Sequence, residues 1–464
     1  MTGITRRWLG NSAANLMGGA SAAVFNLVLP SIVSRHLPTE EFAAWSLALQ
    51  IVAYINLLGL GLQTATARAI AQSEGRGDTS AMRHTVRAAH SIATWAVAAA
   101  SATALLLAIF YPLLFPGIPI PLQHSFQLAV LLIGLSTASQ LFAIVPMGVF
   151  QGLHRNIVYV GVQISVRLLV VALVWAGVHA GITLLGLAAL LAVGSATLWP
   201  AMWQTMRSTL PWSTARRVTP VDRGVRRELL DYCASLSVWS VATLLVNSVG
   251  VVMVGHIAFA QTGVYSLAMA AATVLAGLLG ALFSPLVTTA AALHAQPERR
   301  GALPDLLMKS TLSCALLLNL LFMACLLGVR EAITLWVGPR FVEPLTPLLL
   351  ILVGAHALRN LCAPYALMLL ATGSHRRALL TAAGEGLCNL VATIALGLRF
   401  GIAGIAGGTL VGAVAGIVGA LTLNARRTPE LTPRPVRFAL SGFVVPLALF
   451  APIDLFIAHW KGFL

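Results

Sequence analysis

Thirteen long apolar stretches run through this sequence, and they limit what the chain can fold into more than any other feature. Each is long enough to cross the hydrocarbon layer of a membrane as an α-helix, which takes about 20 mainly apolar residues. They lie near 10–34, 42–66, 88–110, 124–149, 157–177, 181–204, 231–255, 263–290, 306–329, 344–370, 378–398, 401–423 and 438–459. The sequence therefore predicts an all-α, polytopic membrane protein.

The composition indicates the same class and excludes others. Charged residues make up 9% of the 464 residues and hydrophobic residues 58%, whereas about a quarter of the residues in a soluble protein are charged. So few charges cannot cover a soluble surface, which excludes a soluble enzyme, a nucleic-acid-binding protein and a secreted disulfide-rich protein. The five cysteines lie in or at the ends of the stretches and form no CxxC pair, so we interpret them as packing residues. No motif predicts a metal site or a cofactor.

Positive charge is distributed unevenly between the two sides that the stretches define. With the N-terminus placed in the cytoplasm, 22 Lys and Arg residues fall in inner segments and 5 in outer segments. An excess of Lys and Arg on the cytoplasmic side is the usual orientation signal of membrane proteins. We therefore expect a multi-pass protein with a cytoplasmic N-terminus, and we attribute the net charge of +15 to membrane orientation.

An internal repeat divides the chain into two halves. The matching positions are Trp45 with Tyr265 and Gly181 with Gly401, each 220 residues apart, and His154 with His375, 221 apart. Because six spans per half is an even number, both halves enter and leave the membrane on the same side, as in transporters with parallel repeats. We predict an N-terminal six-helix lobe at 8–207, a basic cytoplasmic linker at 208–229, a C-terminal six-helix lobe at 230–424 and an additional transmembrane helix 13 at 438–459.

Two further patterns concern the linker and the twelfth span. We interpret the arginines of the linker as orientation signals that also attract anionic lipid headgroups, and a specific partner site is the alternative. In the twelfth span, glycines repeat every four residues at Gly404, Gly408, Gly412 and Gly416. This spacing predicts a smooth ridge for close contact with another helix.

Several segments resemble those of polysaccharide flippases. They are Leu29-Pro-Ser-Ile-Val-Ser-Arg35, Leu58-Gly-Leu-Gly61, Ala67-Arg-Ala-Ile-Ala71, Val251-Val-Met-Val-Gly255 and Thr262-Gly-Val-Tyr-Ser-Leu267. Over residues 8–424 the chain is similar to the multidrug/oligosaccharidyl-lipid/polysaccharide (MOP) exporter superfamily, and within it to the O-antigen and exopolysaccharide flippases. The resemblance implies two six-helix lobes that form a V around a central cavity.

The resemblance also implies a cargo, a location and partners. The cargo would be an undecaprenyl-pyrophosphate-linked oligosaccharide, moved across the bacterial inner membrane by alternating access for envelope polysaccharide synthesis. The implied partners are this lipid-linked oligosaccharide, membrane lipids, and the polysaccharide polymerase and glycosyltransferases of the same pathway, with no nucleic acid. Family members often carry an acid just before the position of Gly255, whereas this sequence has Asn247, Ser248 and Gly250 there. Ion coupling that needs this acid is therefore not supported.

Three ionisable residues lie inside predicted spans. An Arg at the centre of a membrane helix costs roughly 2.5–3.5 kcal/mol, so it usually faces a cavity or a partner. Arg167 lies about ten residues into the fifth span, close to the midplane. We interpret it as a ligand of the pyrophosphate, because a planar guanidinium matches phosphate oxygens. Packing between helices, or hydrogen bonding to backbone carbonyls, is the alternative.

The other two residues, Arg359 and Glu385, belong to neighbouring antiparallel spans. Their positions along the two spans differ by about 6 Å, which long side chains can bridge. One interpretation is a structural ion pair. The other is a proton- or sodium-sensitive pair that opens when the cargo engages Arg359.

Further polar residues are candidates for the cavity and its two mouths. Arg35 and Arg68 lie at the outer end of the first span and the inner end of the second, where they would bind substrate or serve as interfacial anchors. Asn26 and Asn247 are 221 residues apart and belong to polar stripes on the first and seventh spans. These stripes predict a hydrated face toward the cavity, with hydrogen bonding between helices as the alternative.

These observations leave three classes of function. The first is the flippase described above, with no enzymatic activity. The second is an ion-coupled small-molecule (multidrug) antiporter of the same superfamily, which would need carboxylates in its cavity. The third is a polytopic glycosyltransferase or ligase, which the short outer loops and their few acids disfavour.

Overall fold

A computed structural model describes residues 3–59, 61–214, 222–283, 285–374 and 378–463. Within these ranges the chain forms helices and no β-strand. Twelve helical segments of the described chain are long and apolar enough to cross a membrane. The prediction of an all-α, multi-pass membrane protein is therefore confirmed.

The helices follow one another with short connections. Those of the first half are α1 (Gly3–His36), α2 (Thr39–Ala53), α3 (Leu62–Gly75), α4 (Thr79–Leu114), α5 (Ile120–Gln140), α6 (Ile144–Gly152), α7 (Asn156–His179), α8 (Leu184–Ala196), α9 (Leu198–Thr209) and α10 (Arg223–Ile257). Those of the second half are α11 (Thr262–Phe283), α12 (Pro285–Ala295), α13 (Leu303–Trp336), α14 (Val342–Asn360), α15 (Ala363–Ala371), α16 (Leu379–Gly419), α17 (Ala425–Arg427), α18 (Pro435–Ala439) and α19 (Val445–Trp460).

The chain divides into two compact units, 1–240 and 241–464. The boundary falls inside α10, and the bounds of the two lobes and the linker stay a prediction. Leu229 and Cys233 of α10 pack in the same apolar cluster as Leu62 and Ala88, so the first turns of this helix belong to the first unit. Residues 215–221 of the predicted linker lie outside the described residues.

The helix α16 contains two of the predicted spans. Its backbone leaves the helical conformation at Gly401, where φ is 63° and ψ is −141°. Beyond this point, Gly408 packs against Thr393 and Gly412 against Asn389. The later glycine contacts the earlier residue of the first segment, so the two segments run antiparallel. The segment Leu379–Arg427, which counts as one of the twelve, therefore accounts for the predicted spans eleven and twelve.

Two of the predicted repeat anchors have matching structural roles in their units. Trp45 and Tyr265 are 1% and 0% exposed and lie in α2 and α11. Gly181 and Gly401 both have positive φ, 69° and 63°, a conformation that only glycine adopts without cost. Each glycine turns the chain between two consecutive spans. The third anchor, His375, lies outside the described residues.

Small side chains bring the helices of the first unit close together. The helix α4 begins at a cap in which Asp78 Oδ1 accepts a hydrogen bond from the Ala81 amide at 2.9 Å. It then presents buried alanines, among them Ala104, to α5. A Cβ atom added to Gly134 of α5 would lie only 2.6 Å from the Ala104 Cβ. These residues therefore hold α4 and α5 at a distance that larger side chains would prevent.

Candidate functional site

The candidate site of the first unit is built on the pair of helices α1 and α7. Asn15 Oδ1 of α1 accepts hydrogen bonds from Asn156 Nδ2 at 3.0 Å and from the Tyr159 hydroxyl at 3.2 Å. Asn11 Oδ1 accepts a hydrogen bond from the backbone N–H of Asn156 at 3.2 Å. Polar side chains thus fix one end of α7 against α1. Asn15, a member of the predicted polar stripe of the first span, therefore forms hydrogen bonds between helices.

Arg167 lies further along the same pair of helices, in the middle of the 24-residue α7. It is about 17 Å from either end of that helix, counted at 1.5 Å per residue. Its Nη1 donates to the Gly18 carbonyl of α1 at 3.1 Å and also to the Ser21 hydroxyl. The Ser21 hydroxyl in turn donates to the same Gly18 carbonyl at 3.2 Å. Both partners of the guanidinium are therefore neutral groups of α1.

The charge of Arg167 has no acidic partner in the described part of the chain. Both of its hydrogen bonds use Nη1, so the donors on Nε and Nη2 find no acceptor among the described residues. The side chain is half-buried. A guanidinium has five N–H donors, and an ionised group in a membrane-spanning helix is stable only with partners. The arrangement leaves Arg167 able to bind an anion.

The other candidates of the first unit lie apart from Arg167. Asn26 is exposed on α1, and Arg35 is exposed in its last turn. The exposed Arg68 of α3 places its guanidinium carbon 4.9 Å from the centre of the Tyr232 ring of α10. This is the geometry of a cation–π interaction. Arg68 therefore has a contact that fits an anchoring role, and no pattern in the sequence indicates its aromatic partner.

In the second unit the structure brings Arg359 and Glu385 together. Arg359 Nε of α14 lies 2.6 Å from Glu385 Oε1 of α16, and their side chains are 26% and 15% exposed. A Cβ atom on Gly416 would lie 2.8 Å from the Glu385 carboxyl carbon. The predicted glycine ridge thus covers this ion pair and makes room for the carboxylate.

One buried polar residue near this ion pair was missed by the sequence analysis. His356 is 4% exposed, and neither of its ring nitrogens has a hydrogen-bond partner among the described residues. It lines a cavity of about 20 Å³ together with Phe322 and Asn360, which is room for about one water molecule. His356 lies three residues before Arg359, a spacing that places both on one helix face. That spacing is the signal that could have identified it.

Asn247 lies in the part of α10 that belongs to the second unit. Its Oδ1 is buried and has no hydrogen-bond partner among the described residues. One turn later, Gly250 packs directly against the Tyr265 ring, so that no larger residue fits there. The substrate-binding role of Asn247 stays a prediction, as does that of Asn26 in the first unit.

Comparison with solved structures identifies the fold. The chain is similar to a multidrug resistance MATE family transporter of the MOP superfamily in an inward-facing conformation, with 17% identity, a TM-score of 0.73, and 88% of this chain and 94% of that one covered. It is similar to the lipid II flippase MurJ, inward closed, with 12% identity, a TM-score of 0.68, and 98% and 97% covered.

A third similar structure is a MOP superfamily transporter from Pyrococcus furiosus, described as having a binding pocket of reverse polarity that suggests a different function. It shares 15% identity, has a TM-score of 0.58, and 90% of this chain and 95% of that one are covered. None of the curated protein sequences shows significant similarity to the chain.

The sequence itself matches a family. The profile of the polysaccharide biosynthesis protein family matches residues 9–291, more than half of the chain. This match includes nearly all of the first unit, with most of α1, the whole of α7 with Arg167, and the beginning of the second unit. The chain therefore belongs to the polysaccharide biosynthesis protein family and has the fold of MOP-superfamily transporters, as its sequence motifs predict.

Proposed function

We propose that this protein is a flippase of the bacterial inner membrane that moves an undecaprenyl-pyrophosphate-linked oligosaccharide by alternating access. The family supports a role in polysaccharide synthesis, and the fold supports transport rather than catalysis. The observation that carries the proposal is Arg167, a half-buried guanidinium in the middle of a membrane-spanning helix without an acidic partner among the described residues.

The chemistry of Arg167 fits a pyrophosphate better than a cation. Hydrogen bonds between a guanidinium and phosphate oxygens are short and strong, and two parallel donors can act at once. The two bonds to α1 orient the side chain through Nη1, so Nη2 and Nε stay available for the cargo.

The extent of the structural similarity also supports a lipid flippase. The similarity to MurJ covers 98% of this chain. The uncovered part is shorter than the last helix segment, Pro435–Trp460, so the similarity includes at least most of that segment. The similarity to the MATE transporter covers 88%. The additional helix is thus a feature that this chain has in common with a structure described as a flippase.

The second candidate function is ion-coupled antiport of a small molecule. The MATE transporter has a higher TM-score than MurJ, 0.73 against 0.68. A cationic substrate would require an unpaired carboxylate in the middle of a span. In the described spans, Glu385 and Asp454 each lie only six residues from one end of their helices, and Glu385 is paired with Arg359. The charges of the described spans therefore favour an anionic headgroup.

The test is transport by Arg167 variants in proteoliposomes. The probe is a fluorescent undecaprenyl-pyrophosphate oligosaccharide, and the readout is its access to a glycosidase that cannot cross the membrane. We expect Arg167→Ala to slow transport at least about tenfold, because a hydrogen bond to a charged group contributes roughly 1.5–3 kcal/mol. Arg167→Lys should retain part of the rate.

Arg399→Ala is the matched control. Arg399 is exposed and lies beside the Phe400 ring at the turn between two spans, so this variant should transport at the normal rate. Normal transport by Arg167→Ala would contradict the assigned role. Efflux of a cationic dye driven by an ion gradient, without movement of the lipid probe, would favour the antiporter.

A further inference from the structure

A cavity of the second unit lies beside the additional helix α19. Its volume is about 570 Å³, and it is lined by residues of α13, α14 and α19 and by the two residues Gly462 and Phe463 that follow. Cavities of about 300–1,000 Å³ are typical of small-molecule sites. The walls are mainly apolar, with side chains such as Phe322, Leu350 and Leu455.

Three charged residues line this cavity near one end of the unit. Arg330 and Asp454 each lie six residues before the end of their helices, α13 and α19, and Glu343 lies in the first turn of α14. Six residues correspond to about 9 Å of helix. The charged groups therefore lie where the membrane interface would meet the ends of these helices, with the apolar wall beside them.

The charges of the cavity do not balance. Arg330 Nη1 lies 3.4 Å from Glu343 Oε1, and both side chains are substantially exposed, at 48% and 79%. Asp454 Oδ1 is buried and has no hydrogen-bond partner among the described residues. Because a buried polar atom without a partner is costly, this carboxylate needs a donor that the described residues do not supply.

We propose that this cavity binds one phospholipid with a primary ammonium headgroup, of the ethanolamine type. The ammonium donates hydrogen bonds to the Asp454 carboxylate, the phosphate faces the Arg330 guanidinium, and an acyl chain lies along the apolar wall. An anionic headgroup fits less well because the cavity holds two carboxylates and one guanidinium. A choline headgroup has the same charges but no N–H group to donate to Asp454.

The experiment is native mass spectrometry of the purified full-length protein with synthetic lipids of identical acyl chains. The probes are phosphatidylethanolamine, phosphatidylcholine and phosphatidylglycerol. We expect one phosphatidylethanolamine to be retained with a preference of about tenfold over the other two, the effect of one charge-assisted hydrogen bond. Equal retention of the three lipids would overturn the proposal.

Asp454→Asn tests the residue that the proposal depends on, because it preserves shape and removes the charge. We expect this variant to lose the preference for phosphatidylethanolamine. Asp305→Asn is its control, since Asp305 lies in the first turn of α13, at the other end of that helix, and should leave the preference unchanged. An unchanged preference in Asp454→Asn would contradict the proposal.

Two further measurements separate a phospholipid from other amphiphiles. Ala458→Trp should fill part of the cavity and lower the retention of phosphatidylethanolamine. If this larger change prevents folding, the smaller change Asp454→Asn still tests the proposal. A long-chain primary amine without a phosphate should bind more weakly than phosphatidylethanolamine, because it leaves Arg330 unused. Equal or tighter binding of that amine would overturn the assignment to a phospholipid.

Discussion

Arg167 of the first unit and Arg359 of the second both belong to membrane-spanning helices, but they are held by different partners. Arg167 is bound by a carbonyl and a hydroxyl of the neighbouring helix α1, whereas Arg359 is bound by the Glu385 carboxylate. The first arrangement orients a positive charge and leaves it uncompensated. The second neutralises the charge within the protein. Two units related by a sequence repeat therefore offer different electrostatics, and the first one is suited to an anion.

The largest effect on stability is expected from breaking the ion pair of the second unit. Removal of one partner of a buried ion pair costs about 3–5 kcal/mol, whereas replacement of both by apolar residues is often neutral. Arg359→Leu should therefore lower the thermal stability in detergent strongly, and Arg359→Leu with Glu385→Leu should restore most of it. A double variant as unstable as the single one would contradict the role of the pair.

The difference between the two arginines should disappear if Arg167 is given an acidic partner. Ser21→Asp places a carboxylate where the Ser21 hydroxyl now accepts from Nη1, so the first unit would resemble the second. We expect transport of the pyrophosphate lipid to fall at least about tenfold, with thermal stability retained. Ser21→Asn, which has the same shape without the charge, should transport much faster than Ser21→Asp. Equal rates for the two variants would show that neutralisation of Arg167 has no effect on the cargo.

A smaller effect is expected from the glycine that covers the ion pair. A Cβ atom on Gly416 would lie 2.8 Å from the Glu385 carboxyl, and overpacking of this kind costs about 1–3 kcal/mol. Gly416→Ala should therefore lower the melting temperature in detergent. Gly384→Ala is the control in the same helix, since nothing lies within 4 Å of its added methyl group. Similar losses in both variants would show that contact with Glu385 is not the cause.

The smallest effect is expected at the exposed arginine of the first unit. The interaction of Arg68 with the Tyr232 ring is of a kind that contributes about 0.5–1 kcal/mol at exposed sites. Tyr232→Leu should thus reduce stability slightly and leave transport unchanged, if Arg68 serves as an anchor. A large loss of transport in this variant would instead assign Arg68 to the path of the cargo.

The features that the sequence predicts well depend on local patterns. Hydropathy and length predict the spans, and the offset of 220 residues predicts the matching turns at Gly181 and Gly401. The spacing of four residues predicts the packing of Gly412 and Gly416 against another helix. Each of these signals is contained in one segment, or in two copies of it.

Contacts between helices are predicted less well because they depend on how each helix is rotated about its axis. The sequence placed Arg167 at the midplane but did not identify Gly18 and Ser21 as its partners. It did not indicate the burial of His356, because the spacing to Arg359 shows that the two share a helix face but not whether that face is buried. The cavity beside Asp454 is lined by the consecutive helices α13 and α14 and by the distant α19, so no local pattern could predict it.

The turn at Gly401 has a consequence for motion. One residue reverses the chain there, and interlocking glycines join the two arms from Gly404 to Gly419 along nearly their full length. We expect the two arms to move together, because movement of one arm alone would break these contacts. A displacement of Glu385 would then be shared by two membrane crossings, because Gly416 of the second arm packs against its carboxyl group.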